Sequence, residues 1–290
     1  MSIGILVNVH DGIVLAADSA STLTLVQSGS PSADQSGLPL NVYNNANKIA
    51  NLCKGEPIGC VAYGAGSIGN ALVSTLLKDF RHRITSGAEP DFKRGNYTME
   101  GVANLLTKFL MDHVEAGGKP AANTSLGVML GGFSKAKGNK DTLGEGWMIQ
   151  IENGKAKPPA QLRKPDEVGI TWGGEGDAVS RIVVGFSDHL PRVLETVVKP
   201  EDAVAQLVAL LRSNLQAPII FAPMPIQDAI DLAEWLVHSA IMYSRFKPGA
   251  PSVGGPIEIA AITKHEGFKW IRRKHYFSTQ LNPELRDEDD

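Results

Sequence analysis

The first 22 residues constrain the fold of this chain more than any other segment. They read as a β-hairpin that starts one residue after the initiator Met. Two apolar runs, Ile3 to Val9 and Ile13 to Ala17, flank an Asp-Gly turn signal at Asp11-Gly12. Because a strand at the physical end of a chain ties that end into the fold, we expect an anchored N-terminus.

This anchored end carries a candidate nucleophile. Ser2 becomes the first residue once Met1 is removed, and a small second residue permits that removal. Ser2 would then hold a hydroxyl and its own α-amine, whose unperturbed pKa of about 7.7–8.0 suits a general base. A serine hydroxyl is a weak nucleophile without a base beside it, and an N-terminal amine is a recognised activator. Met-Ser alone indicates little, so the prediction depends on the hairpin and on Asp18 at its end.

Composition narrows the class of protein. The 290 residues fit one large domain or two small ones, and 43% hydrophobic with 20% charged residues is ordinary for a soluble globular chain. The net charge of −3 argues against a nucleic-acid surface. We find no secretory signal and no apolar run near the roughly 20 residues of a membrane span, so a cytoplasmic location is expected.

Neither the cysteines nor the histidines indicate a metal site. Cys53 and Cys60 do not have metal-ligand spacing and lie in or beside apolar stretches. We expect them to be small core residues in a reducing compartment, although their pairing stays open. The seven histidines are scattered, without a pair at ligand spacing. No metal or cofactor is predicted.

The order of expected elements favours a sheet-on-sheet core. A long loop covers about 26–47, and a Pro-rich segment about 216–225 separates two helices. Strands are expected at 48–52, 58–63, 124–132, 145–151, 167–172, 257–263 and 268–272, and helices from the glycine turn at 64–69, at 98–115, 176–198, 200–214 and 226–244. Since strands and helices do not alternate regularly, outer helix layers on stacked sheets fit better than a doubly wound parallel sheet. An acidic tail follows at 276–290.

The glycine turn imitates a dinucleotide-binding fingerprint. Gly64 to Gly69 matches G-x-G-x-x-G between a strand and a helix. The second strand and terminal acid that the fingerprint needs are missing, because 82–91 is polar and turn-rich. A turn that lets backbone approach a substrate is the better interpretation. The strand-turn-helix pattern at 59–73 also recurs at 169–183, a thin indication of two similar halves.

The run from Asp11 to Thr22 closely resembles the start of proteasome β subunits and their bacterial relatives, Anbu and other proteasome homologues. Asn47-Lys48-Ile49 resembles the lysine before the next strand of that family. The segments 61–66 and 254–260 resemble its glycine turn and the entry to its last strands. The resemblance spans residues 2–272 in element order.

The resemblance implies an α+β fold, the four-layer αββα sandwich of N-terminal-nucleophile hydrolases, as a single domain over 1–275. It implies a peptidase that cuts amide bonds through an acyl-enzyme and assembles into a homo-oligomeric ring. Peptides or unfolded proteins would be the substrates, no cofactor is implied, and an ATP-dependent unfoldase is left open as a partner. Nucleic acid and membrane are not expected partners.

The resemblance also implies roles for particular residues. Ser2 would be the nucleophile, Lys48 would hold its hydroxyl and lower the hydroxyl's pKa, and Asp18 would pair with Lys48 and the Ser2 backbone. A backbone N–H near Tyr63 or Gly64 would form the oxyanion hole. An extended substrate would add as a strand. The residues expected to bind this substrate are Ser21, Thr22 and Ala65.

The chain departs from the family pattern at several positions. Ser2 replaces the usual Thr and lacks the methyl group that restricts its rotamer. Ala20 stands where the family has Arg. The family's Asp before the last strands has no match, and Ser252 is the candidate for the neighbouring Ser.

Two further functions fit the same fold. A non-catalytic ring or scaffold subunit is suggested by the missing Arg and Asp. An amidase or transpeptidase would act on small amides or join peptides. Without the resemblance, Lys48 would be interpreted as a surface lysine and Asp18 as a turn cap.

Overall fold

A computed structural model describes residues 2–25, 38–117, 125–135, 143–164, 167–199 and 201–274. The expected tail at 276–290 and residues 26–37 of the expected loop lie outside these ranges. The strands are β1 Ile3–Val9, β2 Gly12–Ala17, β3 Ser21–Leu25, β4 Leu38–Tyr43, β5 Ile49–Asn51, β6 Ile58–Gly64, β7 Ser67–Ile68, β8 Ala71–Leu72, β9 Ser125–Gly132, β10 Glu145–Glu152, β11 Lys155–Ala156, β12 Ala160–Arg163, β13 Gly169–Gly174, β14 Glu258–Thr263 and β15 Gly267–Arg272. The helices are α1 Val73–Thr85, α2 Met99–Ala116, α3 Asp177–Val183, α4 Leu190–Val197, α5 Glu201–Leu215 and α6 Ile226–Phe246.

Two antiparallel sheets form the framework of the mixed α+β fold. The first sheet has the order β13-β1-β2-β14-β15. The second has the order β11-β10-β9-β6-β5, and β12 pairs with β10. Two small hairpins, β3–β4 and β7–β8, lie outside both sheets. The N-terminal hairpin therefore supplies two inner strands of the first sheet, which explains why both of its apolar runs are fully buried.

Buried side chains form three hydrophobic clusters. The first joins α1 and α2 to the second sheet, and Phe80 and Leu106 belong to it. The second joins α3 and α6 to the first sheet and contains Ile5 and Leu236. The third lies between the two sheets, where Leu6 of β1 packs with buried residues of β2, β5, β6, β9 and β14. Because successive side chains on a strand point to opposite faces, β1 contributes Ile5 to one cluster and Leu6 to another.

The tip of the N-terminal hairpin also holds a helix. The two strands pair with Val9 opposite Gly12, so the turn residues are His10 and Asp11, one position before the predicted Asp-Gly turn. The Asp11 carboxylate accepts a hydrogen bond of 2.9 Å from the N–H of Ile226, the first residue of α6. Helix N-termini have unpaired N–H groups, so a carboxylate at this position stabilises α6. The hairpin thus fixes α6 against the first sheet.

Three expected elements differ from the structure. The helix after the glycine turn begins only at Val73, because β7 and β8 intervene. The expected loop at 26–47 contains β4, which pairs with β3. The helix predicted over 176–198 is two helices, because the Asp177 carboxylate accepts the N–H of Asp188 at 3.1 Å and the hydroxyl of Ser187, turning the chain back after α3.

Several local features complete the fold. Thr98 caps α2, since its side chain accepts a hydrogen bond of 3.1 Å from the N–H of Gly101, a cap that the sequence pattern did not predict. Cys53 and Cys60 are free thiols in the core. Burial raises the pKa of the Cys60 thiol to about 12. The segment 216–225 is neither helix nor strand and joins α5 to α6. In the described part of the chain, no helix is long and apolar enough to cross a membrane.

The cluster between the sheets should dominate stability. We expect Leu6→Ala to lower the free energy of unfolding by about 2–5 kcal/mol, because it opens a cavity where the leucine is fully buried. Leu210→Ala is the matched control, since that leucine is 59% exposed, and its loss should stay near 0.5 kcal/mol. Urea denaturation of both variants measures the difference. Equal losses would contradict the packing described.

Candidate active site

Ser2 lies at the start of β1 and is only 3% exposed. Its carbonyl oxygen accepts a hydrogen bond of 2.8 Å from the N–H of Glu175, just after β13. Its hydroxyl oxygen accepts one of 3.1 Å from the N–H of Gly64, the last residue of β6. Ser2 is therefore held between the ends of one strand from each sheet.

Both strand ends need glycine at this point. Gly64 and Gly174 have φ values of 91° and 94°, a backbone conformation that favours glycine. A Cβ on Gly64 would lie 2.3 Å from the Ser125 carbonyl oxygen, and one on Gly174 would lie 1.8 Å from the Ser2 carbonyl oxygen. These two glycines occupy equivalent positions in the strand-turn-helix pattern that occurs at 59–73 and again at 169–183. The two copies of this pattern thus supply the two glycine turns that contact Ser2.

Asp18 is the central acceptor of the site and is fully buried. One carboxylate oxygen accepts the N–H of Ile3 at 3.0 Å. The other accepts the N–H groups of Ala20 and Gly254, each at 3.0 Å. Asp18 therefore fixes the backbone next to Ser2 and joins it to the segment that precedes β14.

Lys48 completes a buried ion pair with Asp18. Its ammonium group donates to Oδ1 of Asp18, and the two side chains are 9% and 0% exposed. Burial lowers the pKa of Lys48, while the Asp18 charge opposes that shift. Among the described residues, no hydrogen bond joins Lys48 to the Ser2 hydroxyl. The structure brings Ser2, Asp18 and Lys48 together, with Asp18 in contact with both the strand of Ser2 and the lysine.

The Tyr63 side chain packs against the hydrophobic cluster between the sheets. A Cβ on either Gly127 or Gly173 would meet its ring at 2.1 Å, so these glycines make room for the ring. Its hydroxyl donates to Met148 Sδ at 3.3 Å, and burial raises its pKa. Of the two predicted oxyanion positions, the one whose N–H contacts the Ser2 hydroxyl is Gly64.

The expected substrate-binding residues lie on two facing segments. Ser21 and Thr22 begin β3, and Ala65 follows β6. The Ser21 hydroxyl lies 3.6 Å from the position that a Cβ on Gly66 would take. Ala65 is held by its N–H, which donates to the Ser125 carbonyl at 2.8 Å. The start of β3 therefore lies close to the turn after β6, and that turn follows Gly64, whose N–H contacts the Ser2 hydroxyl.

Ser252 is held by a helix and not by the other predicted site residues. Its N–H donates to the Ser244 hydroxyl at 3.1 Å, which ties it to the end of α6. No hydrogen bond among the described residues joins Ser252 to Ser2, Asp18 or Lys48. In this segment the residue that contacts Asp18 is Gly254, two residues further on.

The sequence did not indicate the role of Lys274. Its ammonium group lies 3.2 Å from the Glu258 carboxylate and donates to the Ala46 carbonyl at 2.7 Å and to the Ser19 hydroxyl. Lys274 follows the last strand, with no motif around it. The signal that could have found it is Glu258, a single acid in an otherwise apolar strand.

Two surface cavities, of about 480 and 490 Å³, lie away from Ser2. The first is lined partly by His10 and His265, and the second partly by Arg163 and Trp172. Neither is lined by a predicted site residue. Within the described ranges, no three His, Cys, Asp or Glu side chains are grouped as metal ligands would be.

The fold and site define the class of protein to which this chain is similar. Three features of the structure are those by which the sequence resembles proteasome β subunits. They are the N-terminal hairpin, the buried Asp18–Lys48 pair and the Gly64 N–H that contacts the Ser2 hydroxyl. Comparison with solved structures finds a similar fold. No protein-family model matches the chain, and no curated protein matches it.

Two of the similar structures are Anbu proteins. An Anbu mutant from Hyphomicrobium sp. strain MC1 aligns over 94% of this chain and 86% of its own, with 16% identity and a TM-score of 0.51. Anbu, described as an ancestral β-subunit, from Yersinia bercovieri aligns over 94% and 88%, with 14% identity and a TM-score of 0.50. The predicted resemblance to Anbu is confirmed for the fold.

The Asp18–Lys48 pair should be essential for stability. Asp18→Asn leaves a buried ammonium without its counter-charge, so we expect the free energy of unfolding to fall by about 3–5 kcal/mol. Glu152→Gln is the matched control, because the Lys157–Glu152 pair is separated by 3.0 Å but its side chains are 59% and 47% exposed. That change should cost less than about 1 kcal/mol. Chemical denaturation at neutral pH compares the two, and similar losses would argue against a buried pair.

Proposed function

We propose that this protein is an amide-bond hydrolase, acting as a peptidase, whose nucleophile is Ser2 after removal of Met1. The observation that carries the proposal is the 3.1 Å contact between the Gly64 N–H and the Ser2 hydroxyl oxygen, next to the buried Asp18–Lys48 pair. A nucleophile, a base and an amide donor are the parts that acyl transfer needs. The fold likeness to Anbu supports the same proposal.

The reaction would begin at the freed α-amine of Ser2. The amine accepts the hydroxyl proton, directly or through a water, while the oxygen attacks the carbonyl carbon of the scissile amide. The tetrahedral intermediate collapses when the amine returns that proton to the leaving nitrogen. An ester with Ser2 and a free amine product result. Water then hydrolyses the ester by the same proton path and restores Ser2.

The charged pair would support the nucleophile. A protonated Lys48 places positive charge near the hydroxyl and lowers the pKa of that hydroxyl, favouring the attacking oxygen. Asp18 keeps Lys48 in place and also accepts the N–H of Ile3, which follows Ser2. The Gly64 N–H would stabilise the negative oxygen that develops on the substrate carbonyl.

The substrate would bind as an extended chain. Thr22 on β3 and Ala65 after β6 would pair with a peptide backbone on either side. Ser21 would face the same peptide. Pairing with two segments would need an extended peptide, so we expect a peptide substrate in preference to a compact small amide.

We also infer the larger architecture. The three hydrophobic clusters support a four-layer αββα sandwich, in which α1 and α2 cover one sheet and α3 and α6 cover the other. One domain would cover residues 1–275. The likeness to Anbu supports assembly into a homo-oligomeric ring. An unfoldase partner and a cytoplasmic location stay predictions.

The nucleophile can be tested by mass. The purified chain should begin at Ser2 and gain one β-lactone adduct, because the freed amine activates the hydroxyl. Ser2→Ala should lose the adduct, whereas Ser86→Ala, at an exposed serine after α1, should keep it. Intact-mass spectrometry reads both changes. Retention of Met1 without an adduct would indicate the non-catalytic subunit instead.

The pH dependence of labelling should be bell-shaped. The rate should rise as the Ser2 amine loses its proton near pH 8 and becomes a base. At higher pH the labelling rate should decrease again, and we call this decrease the alkaline fall. It should occur below the ordinary lysine pKa of about 10.4, because burial lowers the pKa of Lys48 and the charge is lost on deprotonation. Lys48→Arg keeps its charge and should remove the alkaline fall. An unchanged alkaline fall in this variant would contradict the role of Lys48.

A further inference from the structure

A second buried lysine lies behind the first. The Lys274 ammonium donates hydrogen bonds to the Ser19 hydroxyl and to the Ala46 carbonyl at 2.7 Å, and it forms an ion pair with the Glu258 carboxylate at 3.2 Å. The Ser19 hydroxyl donates in turn to the Pro256 carbonyl at 2.5 Å. The Lys274 and Glu258 side chains are 8% and 1% exposed. Two hydrogen bonds and one buried ion pair therefore hold the ammonium.

Each partner of Lys274 belongs to a segment that carries the active site. Ser19 follows Asp18, Ala46 precedes Lys48 by two residues, and Glu258 starts β14 shortly after Gly254. Backbone hydrogen bonds of 2.9 Å connect the same segments, from Ser19 to the Gly254 carbonyl and from Ala46 to the Ser19 carbonyl. Lys274 therefore closes a junction whose other side is the Asp18–Lys48 pair.

The four side chains form a neutral buried group. Asp18 and Glu258 supply two negative charges, and Lys48 and Lys274 supply two positive ones. Unpaired buried charges are strongly unfavourable, so each pair depends on the other for balance. Removal of one charge must change the electrostatic potential at its neighbours.

We propose that Lys274 is a positioning residue for the Ser2 site, which with Glu258 forms a second ion pair that fixes the Asp18–Lys48 pair and sets the charge around Lys48. This role rests on the proposed function of Ser2. In the contacts above, Lys274 touches neither Ser2 nor the residues expected to bind substrate. It acts through Ser19, Ala46 and Glu258.

The two members of the second pair should have opposite effects on Lys48. The Lys274 charge lowers the pKa of Lys48, and the Glu258 charge raises it. Among the described residues, the other charge that acts on Lys48 is that of Asp18. Removal of Met1 would add the charge of the Ser2 amine. Lys274→Met should therefore favour the protonated Lys48, and Glu258→Gln should disfavour it. The double variant removes both charges and should return close to the starting behaviour.

The experiment follows β-lactone labelling of the full chain against pH. We expect the alkaline fall to move up by about 0.5–1 pH unit in Lys274→Met and down by a similar amount in Glu258→Gln. The double variant should lie between them. Arg272→Met is the control. Arg272 lies two residues before Lys274 in the chain, but it pairs with Glu234 and its side chain is 53% exposed. Identical alkaline falls in all variants would overturn the proposal.

A second measurement separates this proposal from the function of Ser2. Hydrogen exchange followed by mass spectrometry should show faster exchange over 17–20 and 44–48 in Lys274→Met but not in Arg272→Met. If the chain without substitutions does not react with the β-lactone, the proposed function fails. The exchange measurement still tests the role of Lys274 in that case. Unchanged exchange in Lys274→Met would overturn the positioning role, whether or not Ser2 is labelled.

Discussion

The buried carboxylate of Asp18 is the interaction on which the site depends. It accepts backbone N–H groups from three separate segments and pairs with Lys48. A buried carboxylate needs such partners, because an unpaired charge in the protein interior is very unfavourable. The chain start, the lysine before β5 and the approach to β14 therefore converge on one side chain. The position of Ser2 is a consequence of that convergence.

The two sheets hold Ser2 from opposite sides. The end of β6 supplies an N–H to its hydroxyl and the turn after β13 supplies one to its carbonyl. Each strand end is closed by a glycine with positive φ that leaves no room for a side chain. If Ser2 acts as proposed, a nucleophile held by these hydrogen bonds would be pre-organised, which is worth more to catalysis than a flexible chain end.

Features encoded locally could be predicted from the sequence. The hairpin is visible because two apolar runs flank a turn, and Asp18 follows directly from it. The Gly64 turn lacks the second strand that a dinucleotide fingerprint needs, and residues 86–98, which follow α1, contain no strand. The likeness to Anbu then placed Lys48, which local pattern alone left as a surface residue.

Features fixed by tertiary contacts could not be predicted. Lys274 pairs with groups far away in the sequence, so nothing around it marks a role. β4 lies within a polar stretch without strand-like alternation and gains its partner only from β3. The break after α3 depends on hydrogen bonds from Asp177 to residues beyond the helix. Local periodicity does not contain such information.

A crystal structure of the chain after reaction with a β-lactone would test the central claim most directly. We expect Ser2 to be the first residue, with its Oγ in an ester bond to the probe. The ester carbonyl oxygen should lie about 2.7–3.1 Å from the Gly64 nitrogen, the distance of an oxyanion donor. An intact Met1–Ser2 bond with no adduct, or an adduct on another residue, would contradict the account.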